Sequence, residues 1–308
     1  MNPIRIAIVG AGKIARDQHV PAIRGDDRFA LVATADQAGG IDGVANFADL
    51  ATLLATGPEI DAVAICTPPQ VRGGIASAAI AAGRHVLLEK PPAATLSGFA
   101  HLTDQANLAG TTLFAAWHLR HAPMVGAARL WLADRTIAGG RVVWREDVRR
   151  WHPGQTWLWA PGGLGVFDPG INALSLLTEI LPAPLSVAGA RLEVPTNCHA
   201  PTAALLGLRC GDAAIAADFD FLQTGEQTWS VELETTCGHR LRLRNGGAAM
   251  SIDDEAFRTE PEREYAGVYD RFAGLVASGR SDADPAPLRL VADALLLAET
   301  HRVAPFIE

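Results

Sequence analysis

Lysine is almost absent from this chain: of 26 basic residues among 308, only Lys13 and Lys90 are lysine and the rest are arginine. Acidic residues outnumber basic ones, the net charge is −8 and no run of Lys and Arg occurs. The long-range positive field that attracts nucleic acid or an anionic membrane surface is therefore missing, and neither partner is expected. No stretch approaches the roughly 18 consecutive apolar residues of a membrane span. The opening Met1-Asn2-Pro3-Ile4-Arg5 leads straight into a strand-like run instead of the charged-then-apolar pattern of a secretory signal, which predicts a cytoplasmic protein. The four cysteines, Cys66, Cys198, Cys210 and Cys237, form no C-x-x-C pair and have no His at zinc spacing. They are read as reduced structural thiols, and no metal site is expected.

Apolar material is plentiful. With 49% hydrophobic against 19% charged residues, the chain can build a packed core, and its length suits two domains. Short apolar runs alternating with helical patterns predict strands at 4–9, 30–35, 62–66, 85–88 and 112–116, with helices at 13–24, 47–55, 70–82 and 95–108. That alternation is the signature of an α/β fold, a doubly wound parallel sheet of Rossmann type over residues 1–119. Beyond it the rhythm changes. An amphipathic helix, a strand at 141–148, a Trp-rich loop and a second helix precede strand-like runs at 186–194, 203–209, 213–221, 229–234 and 240–244, and helical patterns at 262–278 and 287–300 follow. Residues 120–308 are thus expected to form an α+β domain on an open, mainly antiparallel sheet.

The first strand runs into Gly10-Ala11-Gly12-Lys13-Ile14-Ala15 and then a helix, a G-x-G-x-x-A loop in the setting that gives it meaning. Gly10 permits the tight turn, Gly12 lets the backbone approach a pyrophosphate, and Ala15 allows close packing of helix on strand, with the anion at the helix N-terminus. Lys13 adds a cation there, and Ile14 belongs to the same loop. The second strand ends in Asp36, 26 residues after Gly10. A carboxylate at this point accepts hydrogen bonds from the ribose hydroxyls of NAD and repels the extra phosphate of NADP. No Arg follows it immediately, so NAD is the expected cofactor, with NADP use still open.

Two further stretches carry a family resemblance: Ala64-Ile65-Cys66-Thr67-Pro68-Pro69 closing the third strand, and Val86-Leu87-Leu88-Glu89-Lys90-Pro91-Pro92 closing the fourth. With the glycine loop they resemble the glucose-fructose oxidoreductase/inositol dehydrogenase/rhizopine-catabolism family of NAD(P)-dependent enzymes. The resemblance implies a Rossmann domain followed by an α/β domain on an open antiparallel sheet. It also implies that Thr67 and Pro68 line the cofactor cleft, that Glu89 contacts the nicotinamide ribose and that Lys90 reaches the oxygen of the reacting carbon. Within the family, the segments from Arg145 to Gln155 and from Gly162 to Asn172 look like those of the bacterial aldose 1-dehydrogenases acting on L-arabinose and D-galactose. Many family members carry a His four residues after the position of Asp168. This chain has Asn172, which cannot titrate, so a His-based mechanism does not transfer to that position.

Oxidising a cyclic sugar at C1 to a lactone needs a base for the hydroxyl proton and hydrogen bonds to the sugar oxygens. Lys90 follows a strand at the carboxyl edge of the sheet, where open α/β folds bind ligands, and a cationic nicotinamide beside it favours the neutral amine of a general base. Asp168 and Asn172 are four residues apart and share one helix face, Asp168 relaying the proton and Asn172 contacting a hydroxyl. Asp168 before Pro169 is equally a natural helix cap. His152 is a hydrogen-bond donor or a second proton carrier, and Glu146 an acceptor for two sugar hydroxyls. Trp144, Trp151, Trp157 and Trp159 crowd one segment, either as a hydrophobic cluster or with Trp151 stacking on the sugar. The family resemblance adds Trp229 and His118 as substrate contacts. The rival readings are an inositol or polyol dehydrogenase, which Asn172 and the loop around His152 count against, and a non-catalytic NAD-binding sugar sensor, which would be expected to lose Lys90. An open sheet with one bare face predicts a homodimer or homotetramer.

Overall fold

The apolar runs of the first 116 residues become strands of one sheet in this computed structural model, which describes residues 2–307. They are β1 (Ile4–Val9), β2 (Phe29–Ala35), β3 (Ala45–Phe47), β4 (Ala62–Ile65), β5 (His85–Glu89) and β6 (Leu113–Ala116). All pair in parallel, in the order β3-β2-β1-β4-β5-β6, the arrangement of a dinucleotide-binding sheet. The helices are α1 (Val20–Arg24), α2 (Leu50–Thr56), α3 (Pro69–Ala81) and α4 (Leu96–Ala109). The Asp49 and Thr95 side chains cap α2 and α4 by accepting from the backbone N–H of Thr52 and Gly98. Sequence periodicity missed β3, whose three residues are mostly exposed and leave no apolar run. The expected single helix over 13–24 is wound as a π-type turn, Ala15–His19, before α1. Pro21, early in α1, has no N–H to donate, and the regular helical ladder is interrupted around it.

The chain leaves this unit after Trp117 and returns to it over Tyr265–Pro285, a return that a single boundary at 119/120 does not anticipate. Its cause is the apolar face of α8 (Glu264–Ser278). Val268, Tyr269, Phe272 and Leu275 are buried in one core with Ile6, Ile8, Leu87 and Phe114 of the sheet. The Phe272 ring lies 6.2 Å from both Phe29 and Phe114, stacked on each.

The second unit, His118–Glu264 with the residues from Ala286 onward, is built on nine strands. These are β7 (Ile137–Arg145), β8 (Leu185–Pro195), β9 (Ala203–Cys210), β10 (Ala213–Asp220), β11 (Thr228–Thr235), β12 (Arg240–Arg244), β13 (Ala249–Ile252), β14 (Arg258–Thr259) and β15 (Ala298–Val303). Its helices are α5 (Val125–Leu132), α6 (Val148–Trp151), α7 (Phe167–Ile180) and α9 (Ala286–Leu297). The strand order is β14-β13-β12-β11-β7-β10-β9-β8-β15. The sheet is mixed, since β10 pairs in parallel with β7 and β15 in parallel with β8. The helix expected over 287–300 therefore stops at Leu297, and Ala298 begins an edge strand. No Gly or Pro marks that change, and the apolar run Leu295-Leu296-Leu297 continues the helical pattern up to it.

Helix α7 fixes the site. It is buried along nearly its whole length, only Asn172, Thr178 and Glu179 being partly exposed. Its approach to the sheet depends on Gly170, where a Cβ would stand 2.7 Å from the Phe219 ring of β10. Gly170→Ala is expected to overpack this contact and destabilise the protein by about 1–3 kcal/mol, read as a lower urea midpoint; an unchanged midpoint would show that Phe219 yields freely.

Candidate active site

In the first unit the glycine loop has the shape a dinucleotide needs. Gly10 has φ +90°, and a Cβ there would lie 2.9 Å from the backbone nitrogen of Thr67, so only glycine fits. At Gly12 a Cβ would meet nothing within 4 Å, which leaves the backbone open to a ligand. Asp36 is held by two backbone donors, Ala11 N on Oδ2 and Ala38 N on Oδ1, each at 2.7 Å. Its carboxylate keeps further acceptor capacity for ribose hydroxyls. Thr67 Oγ1 is buried without a hydrogen-bond partner, as expected of a group whose partner is a bound molecule. The residues present thus fit NAD. Lys13 is ion-paired with Asp17 one helical turn on.

At the end of β5, Glu89 is 3% exposed. Its Oε1 accepts from Tyr265 Oη at 2.6 Å and lies 3.0 Å from His19 Nε2, while Oε2 accepts from Lys90 N at 2.8 Å. The buried Arg72 guanidinium donates to the carbonyls of Thr67, Glu89 and Pro91. It thereby ties the loop after β4 to the turn that carries Lys90, whose peptide bond to Pro91 is cis.

In the second unit, strand alternation sends Val142 and Trp144 to the helix-covered face, and Glu146 continues that phase one step past β7. Trp229 pairs with Trp144 across β11 and β7 and so shares the face; its Nε1 donates to Glu146 Oε2 at 2.8 Å. Asp168 lies in the first turn of α7, where the helix dipole favours a negative charge. The cap position is Val166, so capping does not explain this Asp. His152 Nε2 stands 3.6 Å from Asp168 Oδ2 and 3.8 Å from Glu146 Oε1, with its ring edge-on to Phe221 at 5.5 Å. Trp151 is edge-on to Trp229 at 5.6 Å. Two nearly buried carboxylates, an imidazole and two indoles thus face one another, a set suited to binding hydroxyls and moving a proton.

Known proteins resemble this chain over its whole length. Residues 4–116 match the Gfo/Idh/MocA family, described as an oxidoreductase family with an NAD-binding Rossmann fold. Galactose 1-dehydrogenase of Pseudomonas fluorescens is 47% identical over the full length of both chains. The chain belongs to this oxidoreductase family. The crystal structure of D-galactose-1-dehydrogenase from Rhizobium etli superposes with a TM-score of 0.94 at 51% identity, over 100% of this chain and 99% of that one. GenD2 of gentamicin A biosynthesis, solved with NAD, is 22% identical and shares the fold.

As a member of an NAD-binding oxidoreductase family, the chain places its sequence-derived site residues in two groups. Gly10, Gly12, Lys13, Ile14, Asp36, Thr67, Pro68, Glu89 and Lys90 lie at strand ends and on the loops that follow them in the first unit. Glu146, Trp151, His152, Asp168 and Trp229 come together in the second, with Asn172 one turn along α7 from Asp168. His118 is held by Glu264 Oε2, 2.6 Å from its Nδ1. The tryptophan cluster divides, since Trp159 packs on Phe221 and Phe306. Sequence reasoning missed Gln227, whose Oε1 accepts from Asp147 N and Trp151 Nε1, and Phe221, which reads as the last residue of a strand. It also missed Arg72, which hides in a helix of ordinary composition. Among the described residues no group of three or more His, Cys, Asp or Glu side chains is suited to a metal ion.

Asp36→Ser is expected to raise the NADP-to-NAD ratio of kcat/KM by about tenfold or more, through loss of charge repulsion of about 1.4 kcal/mol or more. Initial rates with each dinucleotide provide the check, and an unaltered ratio would mean that Asp36 does not face the ribose.

Proposed function

We propose that this protein is an NAD(P)-dependent aldose 1-dehydrogenase that oxidises the C1 hydroxyl of D-galactose to the lactone, and accepts L-arabinose, which matches galactose from C1 to C4. The observation that carries this reading is the Glu146–Trp229–His152–Asp168 cluster, present in a chain that is alike over its full length to galactose 1-dehydrogenases.

NAD, held by the loops of the first unit, would supply the acceptor for the hydride of C1. Lys90, as base, takes the proton of the C1 hydroxyl while the C1–O bond becomes the lactone carbonyl, and Asp168 and His152 pass a proton onward toward solvent. Glu146, with one oxygen fixed by Trp229, accepts from sugar hydroxyls. Asn172 adds a contact that never changes charge, and Trp151 offers its indole face to sugar C–H groups. The remaining assignments are Gly10, Gly12, Lys13 and Ile14 at the pyrophosphate, Asp36 at the adenosine ribose, Thr67, Pro68 and Glu89 at the nicotinamide side, and His118 at the sugar. A cytoplasmic location and pairing of subunits through the outer face of the nine-stranded sheet complete the proposal. In support of pairing, that face carries small residues, Gly207, Ala214 and Ala216, beside an exposed Leu205. A sedimentation profile containing only a 32.5 kDa species would reject it.

NADH formation at 340 nm is the direct test, with D-galactose, L-arabinose, D-xylose, D-glucose and myo-inositol. Turnover confined to the first two sugars is expected. Oxidation of inositol, or silence with all five while NAD still binds, would overturn the assignment. Lys90→Met is expected to keep NAD affinity and lose about 10²- to 10⁴-fold in kcat, the usual contribution of a general base; a variant as active as the parent would remove Lys90 from that role.

A further inference from the structure

His19 is fully buried and plays no part in the chemistry above, yet both of its ring nitrogens are engaged. Nδ1 lies 2.8 Å from Tyr269 Oη and Nε2 lies 3.0 Å from Glu89 Oε1. Tyr265 and Tyr269 meet the ring edge-on at 5.0 and 5.8 Å. The groups that face it from packed elements are Glu89 at the end of β5, Tyr265 and Tyr269 on α8, and Cys66 after β4. A buried histidine bonded at both nitrogens cannot flip its ring, and a carboxylate bonded by that ring, by Tyr265 and by Lys90 N cannot turn.

We propose that His19 is a positioning residue: it fixes the Glu89 carboxylate, which in turn fixes the backbone of Lys90. The proposal rests on Lys90 as the base. His19 lies on the turn that the glycine loop opens, so the segment that holds the cofactor's phosphates and the segment that presents the amine are joined through a single side chain. Arg72 secures the same Lys90 turn from α3 through the Glu89 and Pro91 carbonyls. Burial opposes a charge on His19, but Cys66, Tyr269 and Glu89 outweigh it, and the imidazole pKa stands well above its ordinary value. Burial pushes the Tyr269 hydroxyl up to about 12, so it remains protonated. A carboxylate can only accept, so Nε2 carries the proton of the bond to Glu89 whether or not the ring is charged, and the Tyr269 hydroxyl, which can donate or accept, matches Nδ1 in either state.

The scarcity of lysine supplies the test. Reductive ¹³C-methylation of the full-length protein labels Lys13 and Lys90 as the chain's two lysines, and Lys13→Arg assigns the two signals. The Lys90 signal is expected to shift or split in His19→Leu and to return toward the parent position in His19→Gln, whose amide can still donate to Glu89. With D-galactose, kcat should fall by about 10- to 100-fold in His19→Leu while KM stays within about twofold, and His19→Gln should recover most of the loss. Should His19→Leu fail to fold, Tyr265→Phe removes another Glu89 donor without opening a cavity and is expected to move the same signal. An unmoved Lys90 signal in the folded variant, or equal damage in the Leu and Gln variants, would overturn the inference. No galactose turnover in the parent protein would overturn the substrate assignment alone, with the lysine spectrum still deciding the role of His19.

Discussion

A carboxylate taken out of water must find donors, and the site proposed for this protein is organised around three that have done so. Glu89, Glu146 and Asp168 are all at least nine-tenths buried. An unpaired charge at such depth would cost several kcal/mol. Ring donors surround them: His19 and Tyr265 on Glu89, Trp229 on Glu146, and His152 near both Glu146 and Asp168. Aromatic and imidazole groups suit this work because each combines an apolar body that packs into a core with one polar atom that reaches an oxygen. The same side chains that complete the core therefore orient the buried carboxylates, and packing and orientation cannot be changed separately.

This dependence explains where the folding elements stop. Strand β5 ends at Glu89, whose side chain turns inward to His19 while its backbone carbonyl goes to Arg72. Strand β7 ends one residue before Glu146, which still pairs through its backbone N–H with Asp220 O. Helix α7 begins one residue before Asp168, after a segment in which Gly163 and Gly165 pass too close to neighbouring backbone for any side chain. The three buried carboxylates are thus placed at element ends, where the backbone is rigid on one side and free to turn on the other.

Much of this was legible in the sequence. The strand–loop–helix setting of Gly10-Ala11-Gly12 fixed the class of the first sheet, because glycine and strand periodicity together leave few alternatives. The partnership of Glu146 with Trp229 was not legible: it depends on the register of β7 against β11, and a separation of 83 positions leaves no local trace of that pairing. Helix α8 was visible as a helix, but its return to the first unit was not, since an amphipathic face states that it will be buried without stating against what. The edge strand β15 was hidden because its polar residues follow directly on the apolar end of α9, and only the ladder with β8 distinguishes it from another helical turn.

The basic residues bear on which group can act as base. Arginine holds its proton throughout the range in which proteins function, whereas an ammonium can release one to become a neutral amine. With only two lysines among 26 Lys and Arg residues, the choice of cationic side chain able to lose a proton is, histidine apart, narrow. Lys13 is exposed and bound into an ion pair with Asp17 on its own helical turn. Lys90 is partly buried, on a turn secured by Arg72 through two carbonyls and by Glu89 through its backbone N–H. Arg72 could not exchange roles with it. A guanidinium presents a rigid fork that can hold several carbonyls at once and never yields its proton, while an amine holds fewer groups and can be emptied. On the proposed assignment one position requires permanence and the other reversibility, and arginine stands at the first and lysine at the second.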